Sequence, residues 1–229
     1  MNTVAIVVAC GKEEEIAPGT EAGFLTLGDA PMIARILKTL ERTPSVDGII
    51  VAIPKNRIDA TMHMVKRYGF SKVTGVVVGG VTRFNTLKIV LAKLPEPVSI
   101  VVVHEASRPF ASRETFEETI KAAKRYGCAI AAHRLPDAVK TTPKGMKAGE
   151  TLERNTAWVA QTPQAFRSEV LEKIVGSKTA KVIDDESEFV KSPAEVHMVE
   201  SGTTNLKIRT VEDLSLATAL VNAKLVPAQ

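Results

Sequence analysis

The sequence has few cysteines and lacks a long apolar run. Cys10 and Cys128 are the only cysteines among 229 residues. Two distant cysteines are too few for a disulfide framework, so we expect a reducing compartment, the cytoplasm. No apolar segment approaches the ~20 residues of a membrane helix, and no membrane association is expected. The first apolar segment follows no basic region, which predicts a strand and not a signal peptide.

Aromatic residues are scarce, and neither sign of charge dominates. The chain has seven Phe, two Tyr and one Trp, and 30 basic residues are mixed with 26 acidic ones. A nucleic-acid surface usually combines dense basic runs with aromatic side chains that stack on bases. We therefore expect no nucleic-acid partner. The net charge of +4 is compatible with a small anionic substrate.

Several catalytic patterns are also missing. The four histidines are dispersed without the spacing of a metal site. No nucleophile elbow is present. Gly11 is followed by Lys12 and three glutamates, which matches neither the Walker phosphate loop nor the dinucleotide fingerprint.

Short apolar strands alternate with amphipathic helices over the first 132 residues. The predicted strands cover residues 4–8, 48–53, 73–78, 100–103 and 128–132, and the helices between them include 58–68 and 113–126. This alternation predicts an α/β fold with a mostly parallel, twisted sheet and helices on both faces. Pro31 is expected at the start of the first helix, and Thr82 and Ser112 are expected to cap two later ones.

The alternation stops after residue 132. Residues 135–149 hold two prolines, two glycines and three lysines, which indicates a protruding arm. Further on we predict helices at 167–175, near Asp185 and at 211–224, with strands at 196–199 and 205–208. No flexible linker is evident, so the interpretation is a single domain, 1–229, with an arm at about 135–160.

The sequence SIVVVHEASRPF predicts the centre of the sheet. An unbroken β-branched run at 100–103 is typical of a strand buried on both faces. Glu105 and Arg108 follow it, at the strand end where open α/β sheets bind their ligands. A carboxylate and a guanidinium three residues apart suit a phosphorylated or metal-bound ligand. The alternative is an ion pair that closes a turn.

Small and cationic residues follow the other predicted strands. They are Ala9, Cys10 and Gly11 after the first strand, Gly79, Gly80, Arg83 and Thr86 after the third, and Lys140, Arg154 and Lys207 later in the chain. Small residues let backbone amides approach a phosphate closely. Together they indicate a phosphate-rich ligand, although each alone is compatible with an ordinary turn or a solvated surface cation. The acids at 184–186 could bind a cation or simply occupy the first turn of a helix.

Several longer motifs carry a family resemblance. They are VVACG, GGVTRFNTL, VHEASRPF, LPDAVK, LERNTAWVAQTPQAF, DDES and TNLKIRTVEDL. Through them nearly the whole chain resembles the 2-C-methyl-D-erythritol 4-phosphate cytidylyltransferases of the non-mevalonate isoprenoid pathway. The resemblance implies a Rossmann-like nucleotidyltransferase fold and a homodimer in which each arm completes the neighbour's site. It also implies that CTP, bound with Mg²⁺, is joined to the polyol phosphate with release of pyrophosphate.

The resemblance assigns roles by position. It places Ala9, Cys10, Gly11, Gly80, Arg83 and Thr86 around the nucleotide. Glu105 would contact the metal and the substrate hydroxyls. Substrate binding would further involve Arg108, Asp137, Lys207 and, from the neighbour's arm, Arg154. Lys12, Arg154 and Lys207 are the implied catalytic residues.

The first loop, GKEEEIAPGTEAGF, departs from the family pattern. Glu15 stands in the place of an arginine and Ala22 in that of a lysine, Ala138 replaces a threonine in the arm, and Lys12 is the only cation left in this loop. A carboxylate near the triphosphate would repel it. This leaves open a weakly active or non-catalytic homologue that binds a phosphorylated ligand or a protein. It also leaves open a transferase for another polyol phosphate, such as ribitol 5-phosphate, or for another nucleotide.

Overall fold

The computed structural model describes residues 1–94, 97–177, 187, 190 and 193–226. The predicted helix near Asp185 and the acids at 184–186 lie outside these residues. Among those described, no helix combines the length and apolar character needed to cross a membrane.

The strands form one large sheet and two small hairpins. In chain order they are β1 (Thr3–Val8), β2 (Glu15–Ala17), β3 (Thr20–Glu21), β4 (Thr26–Leu27), β5 (Ala30–Pro31), β6 (Gly48–Ile53), β7 (Val73–Val78), β8 (Ile100–Glu105), β9 (Gly127–Arg134), β10 (Trp158–Arg167) and β11 (Glu195–Glu200). The large sheet has the order β11-β9-β10-β8-β1-β6-β7, and β2 pairs with β3 and β4 with β5.

The centre of the large sheet is parallel and buried. β1 pairs in parallel with β6 on one side and β8 on the other. Every residue of these three strands is buried. Apolar, largely β-branched runs with no polar alternation fit that environment, because each face of the sheet is covered by helices. The prediction of an α/β fold with a mostly parallel sheet is confirmed.

The described residues contain six α-helices. They are α1 (Met32–Glu41), α2 (Ile58–Tyr68), α3 (Arg83–Leu91), α4 (Arg113–Tyr126), α5 (Ser168–Gly176) and α6 (Val211–Asn222). Leu37 of α1 and Phe116 of α4 belong to one apolar cluster, and Leu87 of α3 and Leu171 of α5 belong to another. The two clusters contain alternate residues of β1, so they form the two sides of the sheet.

The predicted first residues of the helices agree with the structure to within one residue. The hydroxyls of Thr82 and Ser112 accept hydrogen bonds from the backbone N–H groups of Asn85 and Thr115 at 3.2 Å each, which confirms both caps. Pro31 directly precedes α1. The last helix ends at Asn222, two residues before its predicted end.

One strand of the sheet was not predicted from the sequence. β10 runs antiparallel to both β8 and β9, inside a sheet that was predicted from its parallel part. Its Gln161, Thr162, Pro163 and Gln164 hide the strand pattern, and the register with β9 shifts between Gln161 and Gln164. A proline cannot donate to a ladder, so an irregularity at that point accommodates it.

Two predicted segments need correction. Residues 205–208 form no strand, because their backbone bonds to loops instead of a neighbouring strand; Ile208, for example, donates to the carbonyl of Ser107 at 2.9 Å. The two glycines, one proline and four glutamates of residues 9–21 predict an exposed loop, but these residues are not irregular throughout. They contain a turn of 3₁₀ helix and the β2–β3 hairpin, and both Glu14 and Glu21 are buried.

An arm connects β9 to β10. It is mostly exposed and contains isolated bridges between Lys140 and Thr151 and between Lys144 and Lys147. At its base, the Arg134 guanidinium lies 4.8 Å from the centre of the Trp158 ring. The structure therefore shows the protruding segment that the proline- and lysine-rich sequence indicated.

Candidate active site

A cavity of about 310 Å³ lies beside the ends of β1 and β8. Its lining combines cations and carboxylates from four parts of the chain. The lining residues are Lys12, Glu13, Glu15, Arg83, Glu105, Lys207 and Arg209. Strand ends of an open α/β sheet are the expected place for a ligand, and the mixed charges suit a strongly anionic ligand together with its counterions.

Glu105 is the centre of this charge cluster. Lys207 Nζ lies 2.5 Å from Oε1 of Glu105, Arg108 Nε lies 2.9 Å from Oε2, and Arg83 Nη1 lies 3.6 Å from Oε1. Burial alone would raise the pKa of Glu105, but the charges of Lys207, Arg83 and Arg108 outweigh it and hold the pKa well below its usual range. Glu105 is therefore ionised at neutral pH.

The arginines that contact Glu105 are themselves fixed. Arg83 Nη2 donates to the side-chain oxygen of Gln164 at 2.7 Å, and Arg108 Nη1 donates to the carbonyl of Asn205 at 3.0 Å. Gln164 belongs to the strand that the sequence analysis missed. Its two neighbours in sequence, Pro163 and Ala165, gave no hint of a polar contact across the sheet.

His104 is buried and holds the turn between Glu105 and Arg108 by hydrogen bonds, and it has no acid–base role. The carbonyl of Arg108 can only accept, so His104 Nε2 carries the ring proton and donates it to that oxygen at 3.1 Å. Nδ1 is then an acceptor and receives the Thr162 hydroxyl at 3.1 Å, while Thr162 Oγ1 accepts the backbone N–H of Glu105 at 3.1 Å. Burial lowers the pKa of His104 to about 3, so the ring is neutral.

Glu14 reaches the same cluster, which the sequence analysis did not anticipate. Its carboxyl oxygens accept the backbone N–H of Ser107 at 3.0 Å and the Ser107 hydroxyl at 2.8 Å. Lys207 Nζ lies 3.6 Å from the same carboxyl group. Burial, and secondarily the charge of Glu105, raise the pKa of Glu14 to about 7 against the opposing effect of Lys207.

Small residues bring the loops that follow β1 and β7 into close contact. Thr86 Oγ1 accepts the backbone N–H of Gly80 at 2.9 Å and lies 3.5 Å from Cys10 Sγ. A methyl group at Gly79 would overlap Cys10 Sγ, and one at Gly80 would lie 2.6 Å from Asn85 Cβ. Gly11 has φ +95°, a backbone conformation that favours glycine.

The family model of 2-C-methyl-D-erythritol 4-phosphate cytidylyltransferase, IspD, matches residues 3–223. The chain belongs to this family. The resemblance read from the sequence motifs is thereby confirmed.

Individual relatives agree with the family model. The chain is 32% identical to the 2-C-methyl-D-erythritol 4-phosphate cytidylyltransferase of Geobacter metallireducens, over 98% of this chain and 100% of the relative. It is 35% identical to a bifunctional IspD/IspF enzyme of Desulforudis audaxviator, of which it spans 57%. Among solved structures it resembles the 4-diphosphocytidyl-2C-methyl-D-erythritol synthase of Anaerococcus prevotii, with a TM-score of 0.85, 27% identity and 96% of both chains covered.

The structure brings most of the site residues implied by the IspD resemblance to one region. Lys12, Arg83, Glu105 and Lys207 line the cavity, and Arg108 is bound to Glu105. Cys10, Gly11, Gly80 and Thr86 form contacts between the loops that follow β1 and β7. Ala9 is not brought to them, because it packs in the apolar cluster on the opposite face of the sheet from Cys10. Arg209 also lines the cavity and was missed, because it follows a segment that was interpreted as a strand.

Two implied substrate residues lie elsewhere in the chain. Asp137 and Arg154 are exposed on the arm. Neither is among the residues that line the cavity in the described part of the chain. An IspD-type arm that serves a neighbouring subunit would leave them in this position, and their role stays a prediction.

Proposed function

We propose that this chain transfers the cytidylyl group of CTP to 2-C-methyl-D-erythritol 4-phosphate and releases pyrophosphate, in the synthesis of isoprenoid precursors. Relatives that carry this activity in their names match nearly the whole chain. The observation that carries the proposal is the convergence of Lys207, Arg83 and Arg108 on Glu105 at the edge of one cavity. Such a cluster suits a substrate with a phosphate and several hydroxyl groups.

The reaction requires alignment and charge stabilisation more than covalent help from the protein. A phosphate oxygen of the polyol phosphate attacks the α-phosphorus of CTP. A new P–O bond forms as the bond to the β-phosphate oxygen breaks, and pyrophosphate leaves with the bonding electrons. Lys207 and Arg108 would hold the attacking phosphate, while Lys12 and Arg83 would stabilise the charge on the nucleotide phosphates.

Glu105 has carboxylate oxygens with unused acceptor positions, which a Mg²⁺ ion held jointly with CTP would require. A carboxylate offers about four acceptor positions, and here Lys207 and Arg108 are its two close partners. Among the described residues no group of three or more metal-ligating side chains occurs. Mg²⁺ is usually held by one or two carboxylates together with substrate phosphates, so Glu105 would hold it jointly with CTP. When bound, the ion would neutralise part of the triphosphate charge.

The arm supports the proposal of a homodimer. Met146 is 97% exposed and Leu152 43% exposed, and both lie on the arm. A second subunit that packs on the arm would remove these two apolar side chains from water. In a dimer, Arg154 and Asp137 of one arm would reach the neighbour's substrate phosphate and hydroxyl groups. A cytoplasmic enzyme would agree with the two widely spaced cysteines.

The acids of the first loop favour a reduced affinity for CTP over a loss of catalysis. Glu13 and Glu15 line the cavity, so both contribute negative charge near the proposed triphosphate position. Lys12 and Arg209 line it as well and offset that charge. The relatives named as cytidylyltransferases favour an active enzyme over a homologue that only binds a ligand.

The decisive assay is pyrophosphate release from CTP with Mg²⁺ and 2-C-methyl-D-erythritol 4-phosphate. We expect saturable release that depends on both substrates. Ribitol 5-phosphate, and GTP, ATP or UTP in place of CTP, test the alternative substrates in the same assay. Folded protein that releases no pyrophosphate with the natural pair, and shows no heat of CTP binding in a calorimetric titration, would contradict the proposal.

A further inference from the structure

The first loop is fastened to the substrate side of the site through one buried acid. Glu14 is 2% exposed, whereas its neighbour Glu13 is exposed to solvent. The positive φ of Gly11 and the 3₁₀ turn Lys12–Glu14 direct this one side chain inward. An acid in a mobile, solvated loop would not be buried in this way.

The partner of Glu14 is held from two directions. The N–H and hydroxyl of Ser107 both donate to the Glu14 carboxyl group, and the Ser107 carbonyl accepts the N–H of Ile208 at 2.9 Å. Ile208 is the residue after Lys207. Ser107 therefore connects the first loop with the segment that carries Lys207.

Lys207 lies between two carboxyl groups as a result. Its Nζ contacts Glu105 Oε1 and lies 3.6 Å from Glu14 Oε1, and its side chain is only 7% exposed. A lysine side chain has several rotatable bonds and a point charge, so its position depends on such neighbours. Two fixed acceptors leave its ammonium group little freedom.

We infer that Glu14 is a positioning residue, which joins the nucleotide loop to the Ser107 turn and holds Lys207 in line for the substrate phosphate. The inference rests on the proposed cytidylyltransferase function, because it assigns Lys207 to that phosphate. It also assigns a favourable role to one acid of the first loop, whereas the sequence alone indicates that the acids of this loop repel the triphosphate.

Three variants separate positioning from charge. Glu14→Gln keeps both hydrogen bonds to Ser107, because its amide oxygen accepts the N–H and its NH₂ donates to the hydroxyl. The NH₂ then lies where Oε1 faces Lys207 Nζ at 3.6 Å, so Lys207 loses its second acceptor. Glu14→Ala removes both hydrogen bonds to Ser107. Glu13→Gln, one residue away on the exposed side, is the matched control for loss of one loop charge.

Steady-state kinetics with varied polyol phosphate give the first readout. Glu14→Ala should lower kcat/KM for the polyol phosphate about 10- to 100-fold, as expected for a misplaced catalytic group. It should also raise KM for CTP, because the loop that carries Lys12 loses its two bonds to Ser107. Glu14→Gln keeps the bonds to Ser107 but turns a donor toward Lys207, so its loss should be smaller than that of Glu14→Ala. Glu13→Gln removes a charge from the cavity wall and should change mainly KM for CTP. Ser107→Ala, which removes only the hydroxyl partner, should cause a smaller loss, and adding it to Glu14→Ala should cost nothing further. Full activity of Glu14→Ala, or an equal loss in Glu13→Gln, would overturn the inference.

A second readout does not depend on activity. Acetylation of Lys207 by an N-hydroxysuccinimide ester, followed by peptide mass spectrometry, should be several times faster in Glu14→Ala than in wild type or Glu13→Gln. Acetylation of exposed Lys93 serves as the internal reference. If wild type releases no pyrophosphate, the proposed function fails, yet faster acetylation would still support the positioning role. Equal acetylation rates in all three proteins would overturn it.

Discussion

Lys207 Nζ and Glu105 Oε1 are 2.5 Å apart, although 102 residues separate them in the chain. Glu105 ends the central strand β8, and Lys207 lies in the irregular segment before α6. Their contact closes one side of the cavity. It also fixes the cation that we assign to the substrate phosphate.

Replacing Lys207 by Gln should lower kcat/KM for 2-C-methyl-D-erythritol 4-phosphate about 10²- to 10³-fold, as is typical when one charge-stabilising donor is removed. Arg83 and Arg108 still neutralise Glu105 in this variant, so the fold should survive. Initial rates of pyrophosphate release measure the effect, and thermal unfolding checks the fold. Lys93→Gln removes an exposed lysine instead and should be indistinguishable from wild type. A Lys207→Gln enzyme with unchanged kinetics would remove Lys207 from the site.

Replacing Gly79 by Ala should destabilise the protein by about 1–3 kcal/mol, the usual cost of overpacking a close contact. The new methyl group would overlap Cys10 Sγ and approach Thr86 Oγ1 to 3.1 Å. Urea unfolding measures the loss. Binding of CTP should weaken as well, because Thr86 Oγ1 accepts the N–H of Gly80 in a loop that we assign to the nucleotide.

Two further variants test whether the Gly79 effect is steric. Gly176→Ala, at the end of α5, meets no atom within 4 Å and should be neutral or slightly stabilising. Cys10→Ala added to Gly79→Ala removes the sulfur atom from the overlap and should restore much of the stability. If the double variant is no more stable than Gly79→Ala alone, the steric explanation fails.

Sequence patterns predicted the parts of this fold that depend on local order. The central parallel strands are continuous apolar runs, and the caps at Thr82 and Ser112 involve residues only three positions apart. The contact of Glu14 with Ser107 joins residues 93 positions apart, so nothing near Glu14 in the sequence announces it. β10 was missed for a related reason. Its polar side chains are buried because they bond to Arg83, Glu105 and Asn205 from other parts of the chain.

The pH dependence of stability should report the burial of Glu14. Its pKa of about 7 in the folded protein is above the ordinary value of 4.5, so the folded state binds more protons between these two pH values. Glu14 therefore favours the folded state at pH 4.5 and loses this contribution as the pH rises through 7. Glu14→Gln, which stays neutral, should gain stability relative to wild type over the same interval.

Urea unfolding of wild type and Glu14→Gln at pH 5, 6, 7 and 8 measures this difference. A constant offset between Glu14→Gln and wild type would show that Glu14 titrates like a solvated carboxyl group.

Complementation between two inactive variants tests whether the arm of one subunit completes the site of another. Lys207→Gln should inactivate a chain's own site, and Arg154→Ala should inactivate the neighbour's. In a mixed dimer, the Arg154→Ala chain keeps its own Lys207 and receives Arg154 from the arm of the Lys207→Gln chain. One of the dimer's two sites is therefore intact. Random exchange of equal amounts should therefore restore about a quarter of wild-type activity per subunit.

The control uses Arg209→Gln in place of Arg154→Ala. Arg209 and Lys207 line the cavity of the same chain, so the site of each chain in this mixed dimer carries a substitution. If the Arg154→Ala mixture recovers no more activity than this control, although mixed dimers are found by mass spectrometry, each arm does not serve its neighbour.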